Sequence, residues 1–406
     1  MGWWREGDAA ARRALVAASL GWMLDAFDVM LYALLVPAIM KDLAIDKSVA
    51  GWMQSGTLLA AAAGGVLFGV VADRWGRTRA LTSSVLIYSV FTAACGFAHT
   101  ALALAIFRVC LGFGMGGEWA SGAALVSETW PDHVRGKALG FMQSSWAVGY
   151  ALAAVANLVV QDVLGFNWRV VFFVGVLPAL YAFWVARHVE EPAIWRAAKA
   201  RATRTSLRSA LGGRMLGVTL AVTLMNACAL FAWWGLNSWV PAYLRATPQA
   251  GGIGLTDAAM NGFVVAMQVG MWFGYVTFGY VSDAAGRKRA YVAYLLLAAV
   301  AVCAYASTRT PWVLLLLGPV VAFLGTGHFS GFGAVTAELY PTEIRATAQG
   351  LTYNAGRVAS AASPFLVGSL AQTHGFAAAL LTTAAAFVLA AMWWLFIPET
   401  KGRAIG

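Results

Sequence analysis

Apolar residues run along this chain in long blocks separated by short polar stretches, with no strict alternation. Twelve blocks can be read, near residues 14–40, 48–71, 80–98, 101–127, 137–160, 168–187, 214–243, 258–281, 290–307, 312–336, 347–371 and 376–397. A helix needs roughly 20 apolar residues to cross about 30 Å of hydrocarbon, and most blocks meet that length. Lipid offers the backbone no hydrogen-bond partner, so only helices or closed barrels span it, and runs this long without alternation exclude a barrel. The pattern predicts an all-α membrane protein with twelve transmembrane helices. The first block exceeds the core of a signal peptide, about 7–15 residues, and reads as a retained first helix.

Composition narrows the class. The 406 residues are 60% apolar and 11% charged, against about a quarter charged in soluble domains. Twelve spans use up the chain and leave no room for a separate soluble catalytic domain. A net charge of +10 would suggest nucleic acid in a soluble protein. In a membrane protein it reads as topology, because cytoplasmic loops carry excess Lys and Arg. Of 28 such residues, Arg108 and Arg357 lie within helices and Lys41, Lys47, Arg169, Arg245 and Arg309 fall in one set of loops; the other 21 lie on the side of the termini. Both termini are therefore expected in the cytoplasm of a multi-pass inner-membrane protein. Cys95, Cys110, Cys228 and Cys303 each stand alone in an apolar run, which suits small core residues rather than a metal site or disulfide framework.

The longest polar stretch, Glu190 to Arg214, divides the chain. The expected organisation is a six-helix bundle over 1–189, a cytoplasmic linker over 190–213 and a second six-helix bundle over 214–406. An internal repeat supports the division. Gly69, Asp73, Gly76 and Arg77 recur as Gly279, Asp283, Gly286 and Arg287, and Glu128, Pro131 and Arg135 as Glu338, Pro341 and Arg345, all displaced by 210 positions (283 against 73, 338 against 128). Two parallel halves with a site between them form a transporter architecture.

These residues also carry a family resemblance over essentially the whole chain. The run from Gly69 through Asp73, Gly76 and Arg77 to Arg79, the run Arg108 to Gly114 with Gly112, and Pro398-Glu399-Thr400-Lys401-Gly402 resemble motifs of the major facilitator superfamily. Asp25 and Asp28, Gly117-Glu118-Trp119, Glu128 with Pro131, Trp168-Arg169 with Gly175, and Thr352-Tyr353-Asn354 with Gly356-Arg357 are similar to bacterial metabolite:proton symporters. The likeness is especially to the branch holding sialic acid and lactate symporters, with aromatic-acid symporters nearby. The resemblance implies the major facilitator fold and proton-coupled uptake of a small organic anion (a monocarboxylate, sugar acid or aromatic acid). The seventh block, from Asn226 through Trp233 and Trp234 to Asn237, lacks the His and Gln-Asp of the lactate members and argues against lactate.

A charge at the bilayer centre costs several kcal/mol, so a residue placed there is a functional candidate. Asp25, Asp28, Arg108, Glu118, His328 and Arg357 qualify. Asp25 and Asp28, three apart, share a helix face, and two carboxylates that close in a low dielectric favour keeping a proton on one of them. The resemblance pairs the helix-1 acid with the helix-4 base, here Asp28 with Arg108. Proton coupling is accordingly assigned to Asp25, Asp28, Arg108 and Glu118, although a permanent structural ion pair is the competing reading. Glu118 reads equally as a proton site, a substrate-hydroxyl acceptor or a structural partner. Arg357 can hold a carboxylate through its guanidinium fork, with Tyr353 and Asn354 on the same face; an ion pair with an acid across the bundle competes. His328, Asn237, Trp234 and Gln143 complete the expected substrate set, and Asn226, Trp233, Trp146, Tyr150 and Gln268 suit the same cavity or plain helix packing. The repeated charges Asp73, Arg77, Glu128, Arg135, Asp283, Arg287, Glu338 and Arg345 sit at cytoplasmic helix ends. There they can pair across a closed inner gate.

Two motif matches lack their context. Gly112-Phe-Gly114-Met-Gly116-Gly117 fits GxGxxG but follows no strand; its small residues suit close helix packing. The basic linker suits anionic headgroups rather than nucleic acid. The expectation is a monomeric carrier with no cofactor beyond the coupling protons and no metal. Its rivals are a proton-coupled sugar or polyol porter, a drug exporter, or a membrane-embedded sensor or enzyme. The last has no nucleophile elbow or acid–base cluster behind it.

Overall fold

The computed structural model describes residues 2–175, 177–191, 196, 215–339 and 345–401. Among these there is no strand, and twelve helices follow one another. In the first half these are α1 (Ala9–Leu43), α2 (Lys47–Trp75), α3 (Arg77–Cys95), α4 (Ala101–Thr129), α5 (Asp132–Asn157, extended by a π-helical turn, Leu158–Val163) and α6 (Trp168–Val174 with Leu177–His188). In the second half they are α7 (Met215–Arg245), α8 (Asp257–Ala285), α9 (Arg287–Ser307) and α10 (Pro311–Gly327, a 3₁₀ turn at His328–Gly331, then Phe332–Leu339). α11 runs over Arg345–Ser360 and on through 363–374, and α12 over 376–393. At Gly375, φ 82° and ψ 167° reverse the chain between α11 and α12, a conformation a side chain would strain.

The helices begin where short polar side chains take up orphan backbone N–H groups. Asp8, Asp46, Thr100 and Thr256 each accept from the amide three residues on, at 2.7–3.2 Å. The blocks read from sequence match the helices to within several residues, with one difference in kind. Blocks ten and eleven are interrupted, at His328–Gly331 and at 361–362, and block six pauses at Gly175. Gly325, Gly327, Gly331 and Gly333 crowd the first break, where glycine weakens the α-helix and a tighter 3₁₀ turn takes over. Among the described residues eight helical runs are long and apolar enough to cross a membrane on their own account, and one of them, 351–393, doubles back at Gly375. The protein is a multi-pass membrane protein.

Within the first half α4 lies against α1, α2 and α3, and α5 against α1; in the second half α7 lies against α11 and α12, and α8 against α10. The halves meet where α5 faces α8, α2 faces α11 and α1 faces α7. One end of the bundle carries the start of α1 and the α2–α3 and α8–α9 turns; it is the near end below. At the far end the halves are latched together. Lys47 Nζ donates to the Ala371 carbonyl (3.3 Å), Ser48 and Ser369 hydroxyls meet at 3.1 Å, the Phe365 amide donates to Ser55 Oγ (3.2 Å), and Asn157 Nδ2 donates to Asn261 Oδ1 (3.0 Å).

Candidate functional site

Every intramembrane charge expected from the sequence is buried. Arg108 and Glu118 are 0% exposed, Asp25, Asp28 and His328 1%, and Arg357 3%. Burial of this kind is costly unless the group is paired or neutralised, so the partners decide what each can do.

The α1 carboxylates separate. Asp25 lies where the field of Arg357, from the opposite half, reaches it, and it also faces Glu118. Asp28 turns into the first half instead, against Thr92 of α3 and Gly175 of α6, where a methyl group on Gly175 would meet Asp28 Oδ1 at 2.9 Å and Thr92 Cγ2 at 2.2 Å. Neither Asp28 oxygen has a hydrogen-bond partner among the described residues. Glu118 abuts Gly21 of α1, whose missing side chain makes its room; a methyl there would lie 2.4 Å from Glu118 Oε1. Both Glu118 oxygens are likewise without a hydrogen-bond partner among the described residues.

Arg108 does not pair with Asp28 in this conformation. Its Nη2 donates to Gln54 of α2, and its guanidinium carbon sits 3.8 Å from the ring centre of Tyr32. A cation over an aromatic face gains from the ring quadrupole when desolvated, which gives Arg108 a resting place apart from the carboxylate. Tyr32 and Gln54 were not legible as its partners, because they come from different helices with no fixed spacing to position 108.

Arg357 stands over Tyr353 of its own helix, 5.9 Å from the ring centre, and takes part in no ion pair among the described residues. Tyr353 stacks on Trp119 of the other half, at 4.3 Å and 16°. Trp119 Nε1 donates to Gln143 Oε1 (3.2 Å), and a methyl on Gly65 would touch Asn354 Oδ1 at 3.0 Å. Tyr353, Asn354, Trp119 and Gln143 thus bring α11 against α2, α4 and α5. Trp234 of α7 meets Trp146 of α5 edge-on at 6.1 Å, and Trp146 meets Trp22 of α1 at 4.5 Å. The indole N–H groups of Trp22 and Trp146 are buried without partners among the described residues, so both are available as donors. Trp22 was not singled out from sequence, although it lies one turn before Asp25. Asn237 spends its Nδ2 on the Trp233 carbonyl, 3.1 Å away on its own helix. Asn226 bridges from α7 to the Tyr353 carbonyl at 3.4 Å.

His328 departs from expectation. It packs inside the second half against Phe329 (4.3 Å), Tyr291 of α9 (5.9 Å) and Phe387 of α12 (6.5 Å), not beside Arg357. The 3₁₀ turn explains the difference. Phe329 and Phe332 face Trp233 and Tyr353, while His328 and Gly331 face Tyr291 and Phe278 in the bundle interior.

At the near end the repeated charges form two matching networks. Arg77 Nη2 binds Glu128 Oε1 at 3.1 Å and Arg287 Nη2 binds Glu338 Oε1 at 2.9 Å. These pairs lie within one half each, not across the halves as the sequence suggested, because each joins helices that the repeat places side by side. The side chains of Asp73, Arg135, Asp283 and Arg345 lie outside the described residues, as does most of 190–213. Two acids to which the sequence reading gave no role at the gate, Glu191 and the motif residue Glu399, complete the networks. Glu191 accepts from the amides of Arg77 (2.7 Å), Thr78 (3.0 Å) and Arg79 (3.3 Å) at the start of α3. Glu399 accepts from Arg287 (2.9 Å) and Lys288 (3.1 Å) at the start of α9. Each carboxylate meets the positive end of a helix dipole. Gly76 and Gly286, at φ 122° and 99°, leave the space; a methyl on them would sit 2.2 Å from Glu191 and 2.8 Å from Glu399. Burial pushes the Glu399 carboxyl up, but bonds from the amides of Lys401, Arg287, Lys288 and Thr400 outweigh it and hold it below the usual glutamate range.

Twelve helices in two like halves, with charges buried where those halves meet, define a membrane carrier. The family model of the Major Facilitator Superfamily matches residues 18–264 and 224–405, and the chain belongs to that superfamily. The "Probable 4-methylmuconolactone transporter" of Cupriavidus pinatubonensis is 33% identical over 415 residues, covering 99% of this chain and 94% of that protein. The sialic acid transporter NanX of Escherichia coli is 28% identical, covering 95% of this chain and 93% of that one. Among solved structures, a D-xylose-proton symporter aligns with a TM-score of 0.77 at 20% identity, covering 98% of this chain and 100% of that one. At that identity the likeness is one of fold. The relatives are transporters, not enzymes, and this chain is a transporter of the same superfamily.

Proposed function

We propose that this protein takes up a small organic anion together with protons by alternating access, with both termini in the cytoplasm of the inner membrane. The observation that carries this reading is that Asp25 and Arg357, one from each half, are both buried and lie within electrostatic reach of each other without forming an ion pair. One guanidinium cannot hold Asp25 and a substrate carboxylate equally well. When Asp25 is protonated, Arg357 is free to take the incoming anion through paired charge-assisted hydrogen bonds. When the anion leaves, Asp25 gives up its proton and recovers Arg357. Substrate and proton thereby favour each other's binding, as linkage requires. Asp28 is the second proton site: ionised, it draws Arg108; protonated, it leaves Arg108 on Tyr32 and Gln54, as found here. Trp22, Trp146 and Trp234, and Trp119 with Tyr353, cluster between the halves, which suits an aromatic or other flat, largely apolar acid. A sugar porter would instead need a centre of amides without an arginine. The pairs Arg77–Glu128 and Arg287–Glu338 brace each half at the cytoplasmic gate.

The test is binding and counterflow of labelled acids in proteoliposomes with wild type and Arg357→Ala. Stranding one partner of a buried charge pair costs about 2–5 kcal/mol, so affinity for the acid should fall about 30-fold or more. Arg357→Lys should recover only part, because an ammonium lacks the planar fork. Unchanged affinity in Arg357→Ala would remove the anion anchor from the account.

A further inference from the structure

The basic side chains of the far end are matched by acids or bathed in solvent, with one exception. Arg169 pairs with Asp42 (2.7 Å) and Arg245 with Asp257 (3.0 Å), while Lys41 and Arg309 are exposed. Lys47, at the start of α2, is half-buried and in no ion pair among the described residues. The adjacent carboxylate, Asp46, accepts from the Val49 amide (2.8 Å) as the cap of α2. The Lys47 ammonium turns instead to the second half, where it donates to the Ala371 carbonyl (3.3 Å) in the last turn of α11 and lies 4.4 Å from the ring centre of Phe376. The carbonyl end of a helix and an aromatic face are what a cation without a counter-ion can use. Backbone fit sets this contact. A methyl on Gly51, one turn along α2, would meet the Pro364 carbonyl oxygen at 2.6 Å, and one on Gly368 would meet the Lys47 carbonyl oxygen at 2.8 Å. Closure of α2 on α11 at these two glycines is what brings Lys47 to its partners.

We propose that Lys47 is an external recruiting site for the substrate carboxylate, uncovered when the outer seam parts and withdrawn when it shuts. Ala371 and Phe376 both belong to the opposite half. Any parting of α2 from α11 therefore takes them away together and leaves an ammonium without a counter-ion on the wall of the opening. A fixed cation at a mouth with low-dielectric walls raises the local concentration of anions and speeds their arrival. The site also times the closure. A carboxylate resting on Lys47 would face the Ala371 carbonyl oxygen and the Phe376 ring, both electron-rich, so the seam closes only after the anion has moved on toward Arg357.

This proposal rests on the reading of anion uptake with the far end outside, and the test separates the failure of one from that of the other. Initial rates are followed in right-side-out and inside-out vesicles, with labelled 4-hydroxybenzoate and terephthalate as a flat monoacid and a flat diacid. In Lys47→Met the KM from the external side should rise about 10-fold at low salt, the low end of what electrostatic steering supplies. The KM from the cytoplasmic side should stay unchanged, and Lys47→Arg, which keeps the charge, should stay near wild type on both sides. Salt screens an exposed charge, so the wild-type external KM should climb toward that of Lys47→Met as salt is raised. A residue that merely latched the seam would give the opposite sign, because its loss would populate the open state and lower the external KM. Ser48→Ala, which removes a seam bond of 3.1 Å and no charge, supplies that comparison and should leave the external KM at or below wild type. An external KM in Lys47→Met that is unchanged, lowered, or raised equally on both sides overturns the recruiting site. The wild-type salt dependence carries the test if the variant fails to fold, and an external KM indifferent to salt overturns the site as well. Wild-type vesicles that move neither probe overturn the reading of a flat acid substrate, and the recruiting site with it.

Discussion

Replacing Gly116 by alanine should separate α2 from α4 and disturb the buried charges together. A Cβ at Gly116 would lie 1.9 Å from the Ala61 carbonyl oxygen and 2.4 Å from the Gly65 amide nitrogen, against ordinary contact from 3.4 Å. Both obstacles are backbone, so the helices must part by about 1.5 Å (3.4 − 1.9) rather than a side chain swinging aside. Gly112, one turn earlier, meets Thr57 in the same way, the small-residue packing by which membrane helices approach closely. Forced overpacking costs about 1–3 kcal/mol, and the rigid obstacles place this site toward the upper end. Gly140→Ala on α5 is the matched control, because nothing lies within 4 Å of its Cβ and alanine there should gain about 0.5–1 kcal/mol of helix propensity. Thermal unfolding of purified protein, with counterflow as the functional readout, decides the matter. Gly116→Ala should melt below wild type and transport poorly, since α4 carries both Arg108 and Glu118, while Gly140→Ala should melt at or above wild type. Gly116→Ala protein as stable and active as Gly140→Ala would refute the close packing.

Two further outcomes follow from the same geometry. Glu399 has a native carboxyl held below the ordinary range, so its contribution is present at neutral pH and lost as pH falls from about 4.3 through the lowered native value. It is exposed, which limits the cap to about 0.5–1 kcal/mol. Glu399→Gln should therefore destabilise at pH 7 and flatten the acid side of the stability profile; an unchanged profile from pH 7 to 3 would refute the cap. His328→Phe should leave anion affinity at the wild-type level, because the ring sits between α9 and α12 with neither nitrogen partnered among the described residues. Isothermal titration with a bound acid checks it, and a clear loss of affinity would return His328 to the substrate site.

The number and class of the helices were legible because hydrocarbon imposes one length and one composition on every span. The two-fold organisation was legible because Asp73, Arg77 and Glu128 repeat at a constant displacement. The identities of the buried charges could be read for the same energetic reason, since an Asp or Arg amid apolar residues has few bland explanations. Their partners could not. Whether Arg108 rests on Asp28 or on Tyr32, and whether Glu118 faces Gly21, depends on helix rotation and on the point reached in the transport cycle, neither of which leaves a spacing in the sequence. His328, expected in the substrate set, packs elsewhere for a local reason: the glycine-rich break at His328–Gly331 turns it toward Tyr291 and Phe387. The capping roles of Glu191 and of the motif residue Glu399 could not be read, because both lie far along the chain from the helix starts they cap.

The central claim is that one guanidinium, Arg357, serves an acid of the protein and an acid of the substrate in turn, so that anion and proton move together. The most direct measurement follows both at once, adding a labelled carboxylate to lightly buffered proteoliposomes while recording external pH. The account predicts that the medium turns alkaline as the label enters, in fixed proportion, and that both signals vanish in Arg357→Ala. Label entering with no change in pH, or a neutral sugar producing the pH change where acids do not, would contradict it.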